Sequence, residues 1–219
     1  MFVDDAVILF QGDSVTDADR QRDPAIAAEP NRPAALGRGY AALLSARLLA
    51  THPGSGWCCF NRGVSGNRIT DCYTRWRCDA LHLRPDVISL LIGINDFWQD
   101  RTDRRDGVSP ARFDQLYRML LEDTCAALPE AVLILGEPFA LPTGAFDPSW
   151  CAALAERQNL VRQIASDFDA VFVPYQAAFD LACSEAPPAY WADDGVHPSL
   201  AGHQRMADTW WQAVVDGLG

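Results

Sequence analysis

Ser14, Asp194 and His197 are the residues of this 219-residue chain whose types and spacing could build a nucleophile. Ser14 ends the stretch Ile8-Leu9-Phe10-Gln11-Gly12-Asp13-Ser14, an apolar run that stops at a glycine, an acid and a serine. At the far end, Asp194-Gly195-Val196-His197-Pro198 places an acid three residues before a histidine. A serine hydroxyl attacks poorly until a base takes its proton, and an imidazole does this best when a carboxylate fixes its tautomer. The order Ser…Asp…His supplies these roles. On a turn, the three-residue spacing lets Asp194 reach Nδ1 of His197 and leaves Nε2 to face a serine. Asp193 is a rival orienter, one residue further away. The plainer readings are that Ser14 caps a helix and that Asp194-Gly195 is an ordinary turn.

A tetrahedral intermediate carries an oxyanion that needs two or three fixed donors. Asn61-Arg62-Gly63-Val64-Ser65-Gly66-Asn67 and Gly93-Ile94-Asn95-Asp96 each follow an apolar run. Backbone amides at the glycines of these stretches, where no side chain blocks approach, and an asparagine side-chain amide are suitable donors. Taken singly, each stretch could equally be a turn that needs glycine for its backbone angles.

The elements that must position these groups are legible as period and length. Apolar runs at 6–11, 57–61, 86–92, 131–136 and 170–174 have strand length and are rich in Val, Ile, Leu and Phe. Segments 35–50, 111–128, 150–168 and 199–217 carry apolar residues at helical spacing, as in Leu200, His203, Met206, Ala207 and Trp210. Strands apolar on both faces and separated by helices predict an α/β domain, a three-layer α/β/α sandwich on a central parallel sheet. Active sites of such sheets lie outside the carboxyl ends of the strands. Ser14, Gly66, Asn95 and Glu137 all follow predicted strands and should gather there. Residues 18–34 and 99–109 read as long loops beside that edge.

Together the four stretches resemble the SGNH hydrolases, also called the GDSL esterase/lipase family. Ser14 matches the first block, Gly66 the second, Asn95 the third, and Asp194 with His197 the last; Val15 stands where the family name has leucine. The resemblance implies a flavodoxin-like fold over residues 1–219 as a single domain. It also implies a Ser14 nucleophile, a His197 base, an orienting Asp194, and oxyanion donors from Ser14, Gly66 and Asn95. Arg75-Trp76 ahead of a helix, Trp98 after the Asn95 block, and Ala35-Leu36-Gly37-Arg38-Gly39-Tyr40 are similar to intracellular acetylxylan esterases of this superfamily. That implies an acetylated saccharide such as a xylo-oligosaccharide as substrate. A lysophospholipase, thioesterase or arylesterase on the same scaffold, or a carbohydrate-binding descendant without turnover, are the rival readings.

Asp13, Trp98, Tyr190 and Trp191 flank these blocks and are the candidate substrate-binding residues, since aromatic faces stack on sugar rings; core packing is the alternative. The net charge of -11, with 18 basic residues that are all arginine, argues against nucleic acid and disfavours anionic substrates. No apolar run approaches membrane-spanning length. The seven cysteines show no Cys-x-x-Cys spacing, and no Gly-x-Gly-x-x-Gly follows the first strand, so neither metal nor cofactor is expected. The apolar start has no basic region before it, and cleaving it as a signal would remove Ser14; cytoplasmic residence is the expectation. Exposed aromatics leave room for a homo-oligomer.

Overall fold

A computed structural model describes residues 2–101 and 105–218. The five apolar runs form strands β1 (Val7–Gly12), β2 (Cys58–Asn61), β3 (Val87–Leu91), β4 (Val132–Gly136) and β5 (Val171–Val173). They make one parallel sheet in the order β2-β1-β3-β4-β5. Successive side chains of a strand point to opposite faces, and here both faces are apolar. Ile8, Phe10, Val87 and Ile134 enter one core cluster, whereas Leu9, Ile88, Leu90, Leu133 and Leu135 enter another.

Among the described residues the α-helices are α1 (Ser14–Asp17), α2 (Pro24–Ala27), α3 (Pro33–Leu36), α4 (Tyr40–Thr51), α5 (Ile69–Asp79), α6 (Ile94–Trp98), α7 (Pro110–Ala127), α8 (Cys151–Asp167), α9 (Tyr175–Ala182), α10 (Pro188–Trp191) and α11 (Leu200–Leu218). Helices α4, α9 and α11 contribute to the first cluster and α5, α7 and α8 to the second, so each face of the sheet has its own layer. Trp210 of α11 is fully buried, and its indole N–H donates to Ser89 Oγ on β3 at 2.9 Å. That bond satisfies two polar groups the core would otherwise leave unpaired.

Three expectations change. The helix expected over 35–50 is two helices, α3 and α4, interrupted at Gly37. There φ is +81°, and a Cβ would stand 2.6 Å from the Asp17 carbonyl oxygen, so the chain turns where only glycine fits. Arg75 and Trp76 lie within α5 rather than ahead of a helix. Segment 18–34 is not a plain loop: it contains α2 and the start of α3. Its Asn31 pairs with the edge of β2, donating N–H to Cys59 O (3.0 Å) and Nδ2–H to Trp57 O (2.8 Å), and accepting from Cys59 N–H at Oδ1 (2.8 Å). An exposed strand edge is thereby covered. The segment is closed at its base by Arg38 N–H donating to Ala18 O at 2.8 Å. Of the second expected loop, 99–109, residues 102–104 lie outside the described residues.

Candidate active site

Strand order places β1 and β3 side by side with their following chains diverging, the topological switch point where open parallel sheets bind ligands. Gly12 is in register with Leu91. Ser14 and Gly93 therefore leave the sheet at the same level. Asp13 caps α1, its Oδ1 accepting the Val15 N–H at 3.0 Å, and this sets Ser14 as the first residue of the helix.

Ser14 Oγ lies 2.8 Å from His197 Nε2, and His197 Nδ1 lies 2.5 Å from Asp194 Oδ2. The other oxygen, Oδ1, accepts the backbone N–H groups of Val196 (2.9 Å) and His197 (2.7 Å). Partial burial works against the charged carboxylate, but these bonds and the neighbouring imidazole hold Asp194 below the usual carboxylate range. A carboxylate only accepts, so the proton sits on Nδ1, and Nε2 is left to take the Ser14 hydroxyl proton. Asp193 is exposed and is not the partner.

The Gly66 and Asn95 stretches are tied to one another and to α1. Asn95 Nδ2 donates to Asn67 O at 3.1 Å, which uses one of its two hydrogens, and Gln99 Nε2 donates to Gly66 O at 3.0 Å. Gly66 has φ +82°, open to glycine at little cost. Val64 N–H donates to Gly12 O, Asn61 Nδ2 to Thr16 O, and Arg20 Nε to Gly63 O, at 3.0, 2.6 and 2.7 Å. Arg75 reaches across from α5 to Gln11 Oε1 (2.6 Å), Arg62 O (2.8 Å) and Asn67 Oδ1 (2.7 Å). Backbone that is irregular in itself is thus held from several sides.

The remaining sequence candidates fall elsewhere. Asp13 is 1% exposed beneath Ser14, and burial pushes its carboxyl up to about 7 despite the Val15 bond. It caps the helix that begins at Ser14 and is almost wholly enclosed. Trp191 is a core residue: it is 7% exposed, and its indole N–H donates to Ala182 O at 3.0 Å. Tyr190 is 56% exposed and stands edge-on to Trp191. Trp98 packs against Phe146 and Trp150, in a small apolar cluster with Phe97 and Val196. None of these aromatics lines the cleft beside Ser14. Glu137 is also structural, accepting the Gln176 N–H at the start of α9 and pairing with Arg162.

That cleft measures about 790 Å³ and is lined by Ser14, His197 and His203 together with Arg20, Arg22 and Arg38. A larger depression of about 1150 Å³ runs along β5 and α11, and none of the candidate catalytic residues lines it. Arg20 and Arg22 escape sequence reading because they lie in a segment with no repeat or period, and Arg38 carries no sign in the sequence of facing the serine. The chain turns at Ala18 and Asp19, both with positive φ, and Arg20, Arg22 and Arg38 line one cleft with Ser14. His203 was visible on the apolar face of α11; here its Nδ1 accepts the Tyr40 N–H at 3.2 Å, and burial lowers its pKa to about 4.

Residues 10–205 match the GDSL-like lipase/acylhydrolase family. An acetylxylan esterase of Geobacillus stearothermophilus is 34% identical over 203 residues, covering 91% of this chain and 90% of that protein. Its crystal structure, Axe2, superposes with a TM-score of 0.87 at 33% identity over 97% of this chain and 95% of that one. A GDSL-like lipase candidate from Parabacteroides merdae gives a TM-score of 0.93 at 38% identity over 98% of each chain. Sequence, strand order and these similarities agree: the chain belongs to the GDSL-like lipase/acylhydrolase family and is a carboxylic ester hydrolase.

Proposed function

We propose that this chain removes acetyl groups from acetylated saccharides such as xylo-oligosaccharides, with Ser14, His197 and Asp194 as its catalytic triad. The hydrogen-bonded chain Ser14–His197–Asp194 carries the reading. It is supported by the 34% identical acetylxylan esterase, for which variants with a serine or a histidine replaced by alanine are described as catalytic mutants. His197 Nε2 takes the Ser14 hydroxyl proton as Oγ bonds to the acetyl carbon. The carbonyl oxygen becomes an oxyanion and accepts from the Ser14 and Gly66 backbone N–H groups and from the second Asn95 Nδ2 hydrogen. On collapse the carbon–oxygen bond to the sugar breaks, and the sugar alkoxide takes the proton from Nε2. Water then attacks the acyl-serine by the same base, releasing acetate and restoring the Ser14 hydroxyl. Asp194 stabilises the imidazolium throughout and fixes its tautomer.

Cytoplasmic residence belongs to the same reading. Its support is an odd number of cysteines, all of them free thiols. Among the described residues no helix is long and apolar enough to cross a membrane.

The test is acyl-chain specificity on p-nitrophenyl acetate, butyrate and octanoate, with Ser14→Ala as the blank. The acetate ester should lead by a wide margin and the variant should fall to background. A lead for octanoate overturns the acetyl assignment, and equal rates for variant and wild type overturn the triad.

A further inference from the structure

The wall of the cleft opposite the net charge of the protein is cationic. Arg20, Arg22 and Arg38 line it against the acids Asp17 and Asp19. Two of the three arginines are spoken for: Arg22 pairs with Asp17 and Arg38 with Asp19. Asp17 is further engaged, since its Oδ2 accepts the Ser65 N–H at 2.9 Å. Arg20 is different. It is 8% exposed, and its only side-chain hydrogen bond among the described residues is from Nε to Gly63 O. Among the described residues Nη1 and Nη2 have no acceptor, neither is among the fully buried atoms, and Arg20 lines the cleft. A buried guanidinium with its fork open is a rare arrangement, because the fork's geometry matches a carboxylate and its charge is costly without one.

We propose that this wall is a subsite for a carboxylate carried by the saccharide, a uronate side group, with the Arg20 fork as its principal ligand. The inference rests on the acetylated-saccharide reading above and names the substrate class more closely. Surrounding charge supports it. Burial lowers the Arg20 pKa to about 10; Asp17 opposes that shift, and Arg22, Arg62 and Arg75 add to it. An incoming carboxylate relieves that local excess of positive charge. His203 supplies a second, neutral group. Its Nδ1 accepts from Tyr40, so its proton lies on Nε2, and burial keeps the ring uncharged above about 4. It lines the same cleft, and an N–H there suits a sugar hydroxyl. The net charge of -11 had pointed to a neutral substrate, but net charge is a sum over the whole surface and is silent on one wall.

Inhibition of p-nitrophenyl acetate hydrolysis tests the subsite without needing the natural ester. The two competitors are xylotriose and xylotriose bearing one glucuronate. With wild type the uronate ligand should inhibit about 10-fold more tightly, the ratio expected of one charge-assisted pair. The advantage should shrink between about 20 mM and about 0.5 M salt and vanish in Arg20→Gln. Arg20→Lys, which keeps the charge but loses the fork, should restore only part of it. The salt series on wild type carries the test if Arg20→Gln does not fold. Equal inhibition by both ligands overturns the subsite and leaves the saccharide reading standing. Inhibition by neither, with p-nitrophenyl acetate still hydrolysed, overturns the saccharide reading and the subsite with it.

Discussion

Asp17 Oδ2 accepts the backbone N–H of Ser65 at 2.9 Å, and so joins the helix that begins with Ser14 to the residue before Gly66. The bond runs between two segments that share no strand, and it helps to set the distance from Ser14 to Gly66. Asp17→Ala removes the acceptor while leaving Ser14, His197 and Asp194 in place. The kcat on p-nitrophenyl acetate should fall by roughly 10-fold, part of the loss expected from a missing oxyanion donor, with KM nearly unchanged. Asp17→Asn keeps an acceptor and should recover most of the rate. A change confined to KM would assign Asp17 to binding.

Asn95→Ala should lower kcat by ~10²–10³ with little change in KM, since its donor acts on charge that develops only in the transition state. A purely KM effect would make Asn95 a ground-state ligand. Gly66→Ala tests the proposed oxyanion hole through the backbone. A Cβ there meets nothing within 4 Å, so the cost comes from φ +82° alone, about 1 kcal/mol of stability, and kcat should drop as the amide tilts.

Turnover on p-nitrophenyl acetate between about pH 5 and 8 probes the groups around Ser14, because Nε2 of His197 accepts the Ser14 proton only when it carries none. Asp194 stays ionised throughout, held below the usual range, and His203 stays neutral down to about 4. Asp13 lies beneath Ser14 and titrates at about 7, within the same window. Asp13→Asn preserves the cap to Val15 and removes that proton. A limb near pH 7 that is present in wild type and lost in this variant belongs to Asp13, and one that survives the substitution does not.

Burial holds Asp96 as well as Asp13 at about 7, far above the ~3.9 of an unfolded chain. Between those values the folded protein keeps protons that the unfolded chain has released. Their contribution to stability therefore falls as pH rises and levels off above about 7. His203, lowered to about 4, acts in the opposite sense below the ordinary histidine range, so the wild-type curve mixes both. Asp96→Asn isolates one acid and can still accept the Ile69 N–H that Asp96 holds at 3.0 Å. Its Tm should gain on wild type by at least ~3 °C from pH 5 to pH 8, the shift of about 1 kcal/mol in a chain this size. A difference that does not change with pH would show the carboxyl to be ionised in the fold.

The sheet and its four blocks were legible because each strand is a run apolar on both faces, three of the blocks follow a strand, and the fourth fills the turn between α10 and α11. Ser14, Asn95 and His197 inherit their positions from strand ends and a turn, and both signals are local in sequence. What escaped was either too short or too distant. Helices α1, α2, α3, α6 and α10 span four or five residues, less than a period can reveal. Helix α5 buries only Ile69, Cys72 and Trp76, and its exposed face is charged. Trp191 stands next to the exposed Tyr190 in sequence yet points into the core, a difference set by α9 and α11 and not by its neighbours.

The hydrogen bond from Arg38 N–H to Ala18 O fastens the two ends of the segment between them. The mouth of the cleft is therefore a cassette, anchored at its base, at Gly63 through Arg20 and at the edge of β2 through Asn31. Lengthening it adds only the slow logarithmic cost of loop closure, and Ser14 lies just outside its hinge. Between those anchors its length and composition can change while Ser14 keeps its place at the end of β1.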